Sequence, residues 1–470
     1  MAHWLRDRGY EAYAVRGGLA ALTGAAPVDA VAAEAAGAAR RRDRLALAAL
    51  RHPAFRRYSA GVLLSLVGNW VEAAAYGYVV LLLGGSAATL GVIGFLNTIP
   101  NLVFALPAGL VADRFDRRRV LFVFQGLNMV LAAALAVLWA TGSLTLPLLG
   151  VLAVAGGILG TMSFPAFQGL LAGTVPSRDL ESAVALNSLS LQVARFVGPA
   201  LAGFLLARGG PTWVFGVNAA SFLAVLATLA LLPATRARAT AAATRAGGSL
   251  REAFAFVFGQ RSFAALILLM AVAGLFGTPP VQFMLPALVR YRLHGGGGTL
   301  GALTAAVGLG SVIGSVVLLR LSRRPNKGEP LLVAYALTAV ALAAIGLSRS
   351  LPLSLALGLV GGLCGVVFVG LSTVVVQAMS PDELRARATA IWAAAFVGVL
   401  PFGALATAGL TALIGPGGAV FFDGVAVLAG AGVVLAARPE LAWLGCAALP
   451  ESCLAATSPA AVAVLEAEAH

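Results

Sequence analysis

Between Tyr58 and Ala437 the chain is a succession of apolar runs, each about 20 residues long or more, joined by links that mostly span a few residues and carry arginine. A run of that length, coiled at about 1.5 Å per residue, crosses the hydrocarbon layer of a bilayer, about 30 Å thick. In hydrocarbon no water is present to satisfy backbone N–H and C=O groups, so such runs fold as helices. Twelve spans are expected, at roughly 58–83, 88–110, 119–140, 146–171, 183–207, 213–233, 263–289, 299–320, 330–348, 352–377, 386–413 and 417–437. The fold class is therefore an all-α polytopic membrane protein. Composition agrees, with 11% charged residues where soluble domains carry about 25%.

The basic residues test this count. With the N-terminus inside, 24 of the 32 fall in links facing the cytoplasm and four (Arg208, Arg290, Arg292 and Arg349) face outward. Such a bias over short loops is the orientation signal of inner-membrane proteins and places both termini in the cytoplasm. The net charge of +13 thus reflects topology. Nucleic acid would need a basic face on a soluble domain.

One link stands out. Gly109-Leu-Val-Ala-Asp113-Arg114-Phe-Asp116-Arg117-Arg118-Arg119 places two acids and four arginines in a tight turn between the second and third spans. It resembles the signature of the major facilitator superfamily, with Gly109, Asp113, Arg114, Arg117 and Arg118 matching and Asp116 in place of a second glycine. The resemblance implies a transporter of two six-helix pseudo-repeats in which Asp113 locks the cytoplasmic side shut until the halves rock. The facing element would be the start of span eleven, with Pro381, Asp382, Arg385 and Arg387. The plainer reading is that the turn only orients its two helices. The glycine itself has no side chain, so a neighbouring helix could approach closely there.

Internal echoes support a repeat. Pro176-Ser-Arg-Asp179-Leu180 precedes span five and Pro381-Asp-Glu383-Leu384 precedes span eleven. The expected divisions are a bundle at 58–233, a cytoplasmic loop at 234–262 and a second bundle at 263–437. A basic linker at 29–57, suited to anionic lipid, precedes the spans, and a tail at 438–470 follows them. Residues 3–28 resemble the end of a rhodanese domain, so 1–28 read as a remnant. No cysteine stands before Cys364, which leaves no nucleophile for sulfur transfer.

Three charges stand well inside spans: Glu72, Arg195 and Asp423. Counting about 1.5 Å per residue, Glu72 and Arg195 lie at similar depth, each about 20 Å from the cytoplasmic face. Left facing lipid, each would cost about 2.5–3.5 kcal/mol. Pairing them is the economical arrangement, either as a structural ion pair or as a cavity lining in which Glu72 takes up a proton or the charge of the substrate. Asp423, near the outer end of the last span, reads as a local polar or water-facing group. Asn69, Trp70 and Tyr76 share the first span with Glu72 and suit contact with an amphiphilic, partly aromatic substrate. Further amides stand in spans at Asn97, Asn101, Gln125, Asn128, Asn218 and Gln282, among others. Gly198, Pro199 and Gly203 resemble part of the antiporter signature of drug–proton exchangers; the proline removes a backbone hydrogen bond and the glycines permit close contact.

No phosphate-cradling loop and no cluster with metal-ligand spacing is present, so no cofactor is expected. Taken together, Phe55-Arg56-Arg57, Gly68-Asn69-Trp70, the charged turn, Arg195–Gly203 and Gln377–Arg387 resemble the superfamily branch that contains the enterobactin exporter and macrolide efflux proteins. That resemblance implies a monomeric, proton-coupled exporter of an amphiphilic small molecule such as a siderophore or drug. An importer of the same fold and a non-transporting receptor remain open alternatives, with sulfur transfer a third, disfavoured one.

Overall fold

The computed structural model describes residues 48–232, 250–322, 324, 326–381 and 384–437, and these are nearly all helical. The rhodanese-like stretch, the linker up to residue 47, residues 233–249 of the central link, Asp382 and the tail beyond 437 lie outside the described residues. A short 3-10 turn, Ala48–Arg51, leads into α1 (Pro53–Leu82), α2 (Ala87–Arg114), α3 (Arg117–Ala140), α4 (Leu146–Gly173) and α5 (Leu180–Leu231). After the central link come α6 (Leu250–Gly259), α7 (Arg261–Val272), two π-helical turns at Ala273–Gly277 and Pro280–Met284, and α8 (Leu285–Tyr291). The chain then forms α9 (Gly297–Leu321), α10 (Gly328–Leu347), α11 (Leu351–Met379), α12 (Arg385–Val397) and α13 (Leu400–Ala437).

Helix starts follow local chemistry. Ser86 and Thr89 form a reciprocal capping box at α2. Asp116 caps α3, its Oδ1 accepting from the Arg119 N–H at 2.9 Å. Proline occupies the first turn of α1, α4 and α11, where its missing N–H costs nothing.

Nine helical stretches among the described residues are long and apolar enough to cross a membrane, and two of these run 55 and 51 residues. Each long one doubles back at a glycine of positive φ. In α5 it is Gly210, φ 68°, and in α13 Gly415, φ 74°, a region open to glycine but costly for other residues. The reversal is visible in the packing. The Gly68 to Trp70 level of α1 touches Gly198 on one arm of α5 and Asn218 and Ser221 on the other.

At the end of the bundle away from the arginine-rich turns, one apolar cluster draws on both parts of the chain, from Val79, Leu90 and Phe215 to Met284, Leu300 and Val420. Toward the arginine-rich end the clusters separate. One uses only residues 49–232 and another only residues 257–434. The two parts also meet along α5 and α9. There Gly203 lies so close to Gly301 that a Cβ would stand 2.7 Å from its Cα, and Gln192 Nε2 donates to Ser315 Oγ at 3.0 Å.

Candidate functional site

A cavity of about 390 Å³ lies among α1, α2, α3, α4 and the second arm of α5, closed on one side by Gln282 and Phe283 of the broken helix after α7. Its walls carry Asn69, Asn97, Gln125, Asn128, Asn218 and Gln282, the rings of Tyr76, Phe164, Phe167, Phe222 and Phe283, and one ionisable carboxyl, Glu72. Size and character suit a small-molecule site: mostly apolar walls with a few convergent polar groups.

Some of these polar groups are already occupied. Tyr76 donates its hydroxyl to Leu149 O at 3.0 Å, Asn97 Nδ2 bonds Ala153 O at 3.3 Å, and Asn128 Nδ2 bonds Phe124 O at 2.9 Å. Others are free to meet a ligand. Asn69 and Gln282 have no hydrogen-bond partner among the described residues, and Gln125 Oε1 is buried without one.

The expected Glu72–Arg195 pair is not formed. Glu72 instead accepts from Asn218 Nδ2 at 2.5 Å, and Asn218 is buried and accepts in turn from Ser221 Oγ at 3.2 Å. The reason is the close approach of α1 to the second arm of α5 at Gly68, which brings Asn218 to Glu72. Arg195 lies on the first arm and stacks over Trp70, its guanidinium carbon 5.0 Å from the ring centroid. Asn69, Glu72 and Tyr76 thus share the cavity, whereas Trp70 and Arg195 lie outside its lining. Asn218 and Gln282 had been visible only as amides within spans. Nothing in the local sequence marks Asn218 as the partner of a carboxyl 146 residues away.

Gly198 and Gly203 stand at close approaches, the first to Trp70 of α1 and the second to Gly301 of α9. The charged turn divides by role. Arg117 Nη1 donates to Gly169 O at 3.2 Å near the end of α4, and Arg118 Nη2 to Ala230 O at 2.8 Å at the end of α5. Both bonds fall on carbonyls in or beside the last turn of a helix, where positive charge is favourable. Asp113 and Arg114 are exposed and form no ion pair among the described residues. Gly109 faces open space, so no helix crosses closely there in this conformation. At the start of the expected span eleven, Arg385 Nε donates to Gln377 O at 2.9 Å.

Asp423 is not water-facing, as its place in the sequence had suggested; it is wholly buried and accepts from Thr407 Oγ1 at 2.9 Å. At the arginine-rich end His52 Nε2 lies 2.8 Å from Asp179 Oδ2. That hydrogen bond is the main cause holding the Asp179 carboxyl below its ordinary range, with Arg178 helping.

The helical bundle, its buried cavity and its doubled-back helices define a multi-pass membrane transporter of the major facilitator fold. Among solved structures, that of a D-xylose–proton symporter is similar, with a TM-score of 0.65 at 15% identity over 80% of this chain and 97% of that one. So is that of a bacterial homolog of the human lysosomal transporter Spinster, in an inward-facing and unoccupied conformation. There the TM-score is 0.61 at 16% identity over 84% of this chain and 96% of that one. Residues 45–444 match the transmembrane secretion effector family, and the chain belongs to that family. It is a transporter, not an enzyme. Relatives include the enterobactin exporter of Citrobacter koseri, 25% identical over 375 residues, which are 78% of this chain and 87% of that protein. The staphyloferrin A transporter of Staphylococcus aureus is 26% identical over 265 residues, 56% of this chain and 65% of that protein.

Proposed function

We propose that the protein exports an amphiphilic, siderophore-like small molecule by alternating access, driven by the proton gradient. Its twelve spans are counted by taking α1, adding the nine apolar stretches and dividing the two long ones at Gly210 and Gly415. Six of them fall before the central link and six after it. The arginine bias puts the termini and the charged turn in the cytoplasm. On that orientation the two halves meet at the outer end and stand apart at the cytoplasmic end, which is a conformation ready to load substrate from inside.

The observation that carries this reading is the placement of Glu72. Among the described residues it is the sole carboxyl in the lining of the cavity, and it has an amide, not a cation, as its partner. A carboxyl bonded to an amide can exchange its charge for a proton without stranding an arginine. Among the described residues the lining has no basic group, so a neutral or cationic amphiphile fits better than a polyanion, and the five rings offer stacking surfaces. Asp113 and Arg114, without an ion pair among the described residues, would form the cytoplasmic lock when the halves rock. The same basic end suits anionic lipid, and the transporter works as a monomer.

The test is efflux from vesicles holding the purified protein, with enterobactin, staphyloferrin A, a macrolide and a cationic dye offered in turn. Wild type is expected to move at least one of them in response to an imposed pH gradient, and Glu72→Gln to lose that response by about a hundredfold or more, the range ascribed to a positioned proton-transfer group. Transport indifferent to the pH gradient would remove the proton from the mechanism.

A further inference from the structure

We propose that Asp423 is a second proton-binding carboxyl, set in the later half of the chain and separate from the Glu72 cavity. The residue lies on the second arm of α13, wholly buried. Oδ2 accepts from Thr407 Oγ1 of the first arm at 2.9 Å, while Oδ1 has no donor among the described residues. Val420 and Val427, about one turn to either side, are buried in apolar clusters, and Gly424 packs against the backbone of Ala339 and Ala343 in α10.

The elements around it supply no countercharge. Among the described residues α13 has no other ionisable side chain. Those of α10 are Glu329 and Tyr335; α2 has Asp113 and Arg114 at its arginine-rich end. The stretch from α7 to α8 has Arg261, Arg290 and Tyr291, and Arg292 beyond it lies against Gly417 and donates to Leu347 O at 2.9 Å. None of these groups forms an ion pair with Asp423. An ionised carboxylate held by one hydroxyl in such surroundings is an uncompensated charge. Binding a proton removes the charge and leaves at most a neutral hydroxyl to satisfy, a far smaller cost.

An independent feature supplies a route for exchange. The helix packed against both arms is broken by two π turns, a form that gathers at functional sites. Pro279 and Pro280 between and within them lack the N–H that an α-helix would offer to Leu275 and Phe276 carbonyls. This irregular stretch reaches both arms: a Cβ on Gly277 would stand 3.7 Å from Val427 Cγ2, and Thr411 Oγ1 lies 3.6 Å from Met284 Sδ. A shift of the first π turn, Ala273–Gly277, would uncover Asp423 without moving Gln282 and Phe283, which close the Glu72 cavity.

The test is infrared spectroscopy of the full-length protein in lipid nanodiscs at neutral pH, reading the C=O stretch of protonated carboxylic acids. Asp423 is the one aspartate within the apolar spans, so labelling all aspartate carboxyls with carbon-13 is expected to shift part of that band in unmutated protein. The shifting component is expected to survive Glu72→Gln and to disappear in Asp423→Asn. The labelled wild type keeps the test decisive even where Asp423→Asn does not fold. A band that does not respond to aspartate labelling, or one that persists in folded Asp423→Asn, overturns the proposal. Neither reading depends on the transported molecule, so failure of the export assay leaves this result standing.

Discussion

Glu72 and Asn218 illustrate how one contact ties burial to function. Asn218→Leu removes the donor and leaves a carboxyl in the cavity wall without a protein partner, a loss of about 1.5–3 kcal/mol for a hydrogen bond to a charged group. The expected outcome is a thermal midpoint several degrees lower in detergent. Glu72→Gln is expected to leave the midpoint almost unchanged, because a glutamine oxygen still accepts from Asn218. At the arginine-rich end, Asp179 ties the turn before α5 to His52 at the start of α1. Its carboxyl is held below the ordinary value near 3.9, so the folded state favours the carboxylate. The stabilisation is present above the unfolded value and disappears as pH falls through the folded one. Asp179→Asn is therefore expected to unfold earlier than wild type at neutral pH. The gap should close below about pH 4, as measured by thermal melts across a pH series.

At the scale of elements, arginines repeatedly cap helix C-termini. Arg117, Arg118, Arg290, Arg292 and Arg385 reach carbonyls at or near the ends of α4, α5, α1, α10 and α11. The orientation signal of the sequence is thus also a set of local supports, each worth about 0.3–1 kcal/mol at an exposed helix end. Within the charged turn this separates two kinds of variant. Arg117→Ala with Arg118→Ala is expected to lower stability by about 0.6–2 kcal/mol in sum. Asp113→Asn is expected to leave stability unchanged while slowing efflux. A melt that falls equally in both would assign the whole turn to helix orientation.

Across the whole molecule, the halves share a core at one end only. Gly77 and Pro286 sit in that shared region, and a Cβ on Gly77 would stand 3.6 Å from Pro286 Cβ, within the 3.5–4.5 Å that a disulfide bridges. Gly77→Cys with Pro286→Cys, in a background free of other cysteines, is expected to cross-link in high yield under mild oxidation and to stop transport until reduced. Low cross-linking with full activity would mean that the end away from the arginine-rich turns is not closed in the resting state.

How much of this was legible in the sequence depends on the range of the physics. Apolar runs long enough for a bilayer, arginines clustered in short links and proline or acid at helix starts are local properties, and they dictated the helices, the reversals near Gly210 and Gly415, and the charged turn. The partner of Glu72 was not local. Two positions at equal depth suggested Arg195, but depth fixes only one coordinate, and rotation about each helix axis decided for Asn218. That rotation is set by glycines at close approaches, such as Gly68 against Asn218 and Gly203 against Gly301, whose effect is read only once the helices are packed. Which amides line the cavity, why Asp423 is sealed from water and which end of the bundle stands open are likewise decided by packing between distant segments, where no single stretch of sequence carries the information.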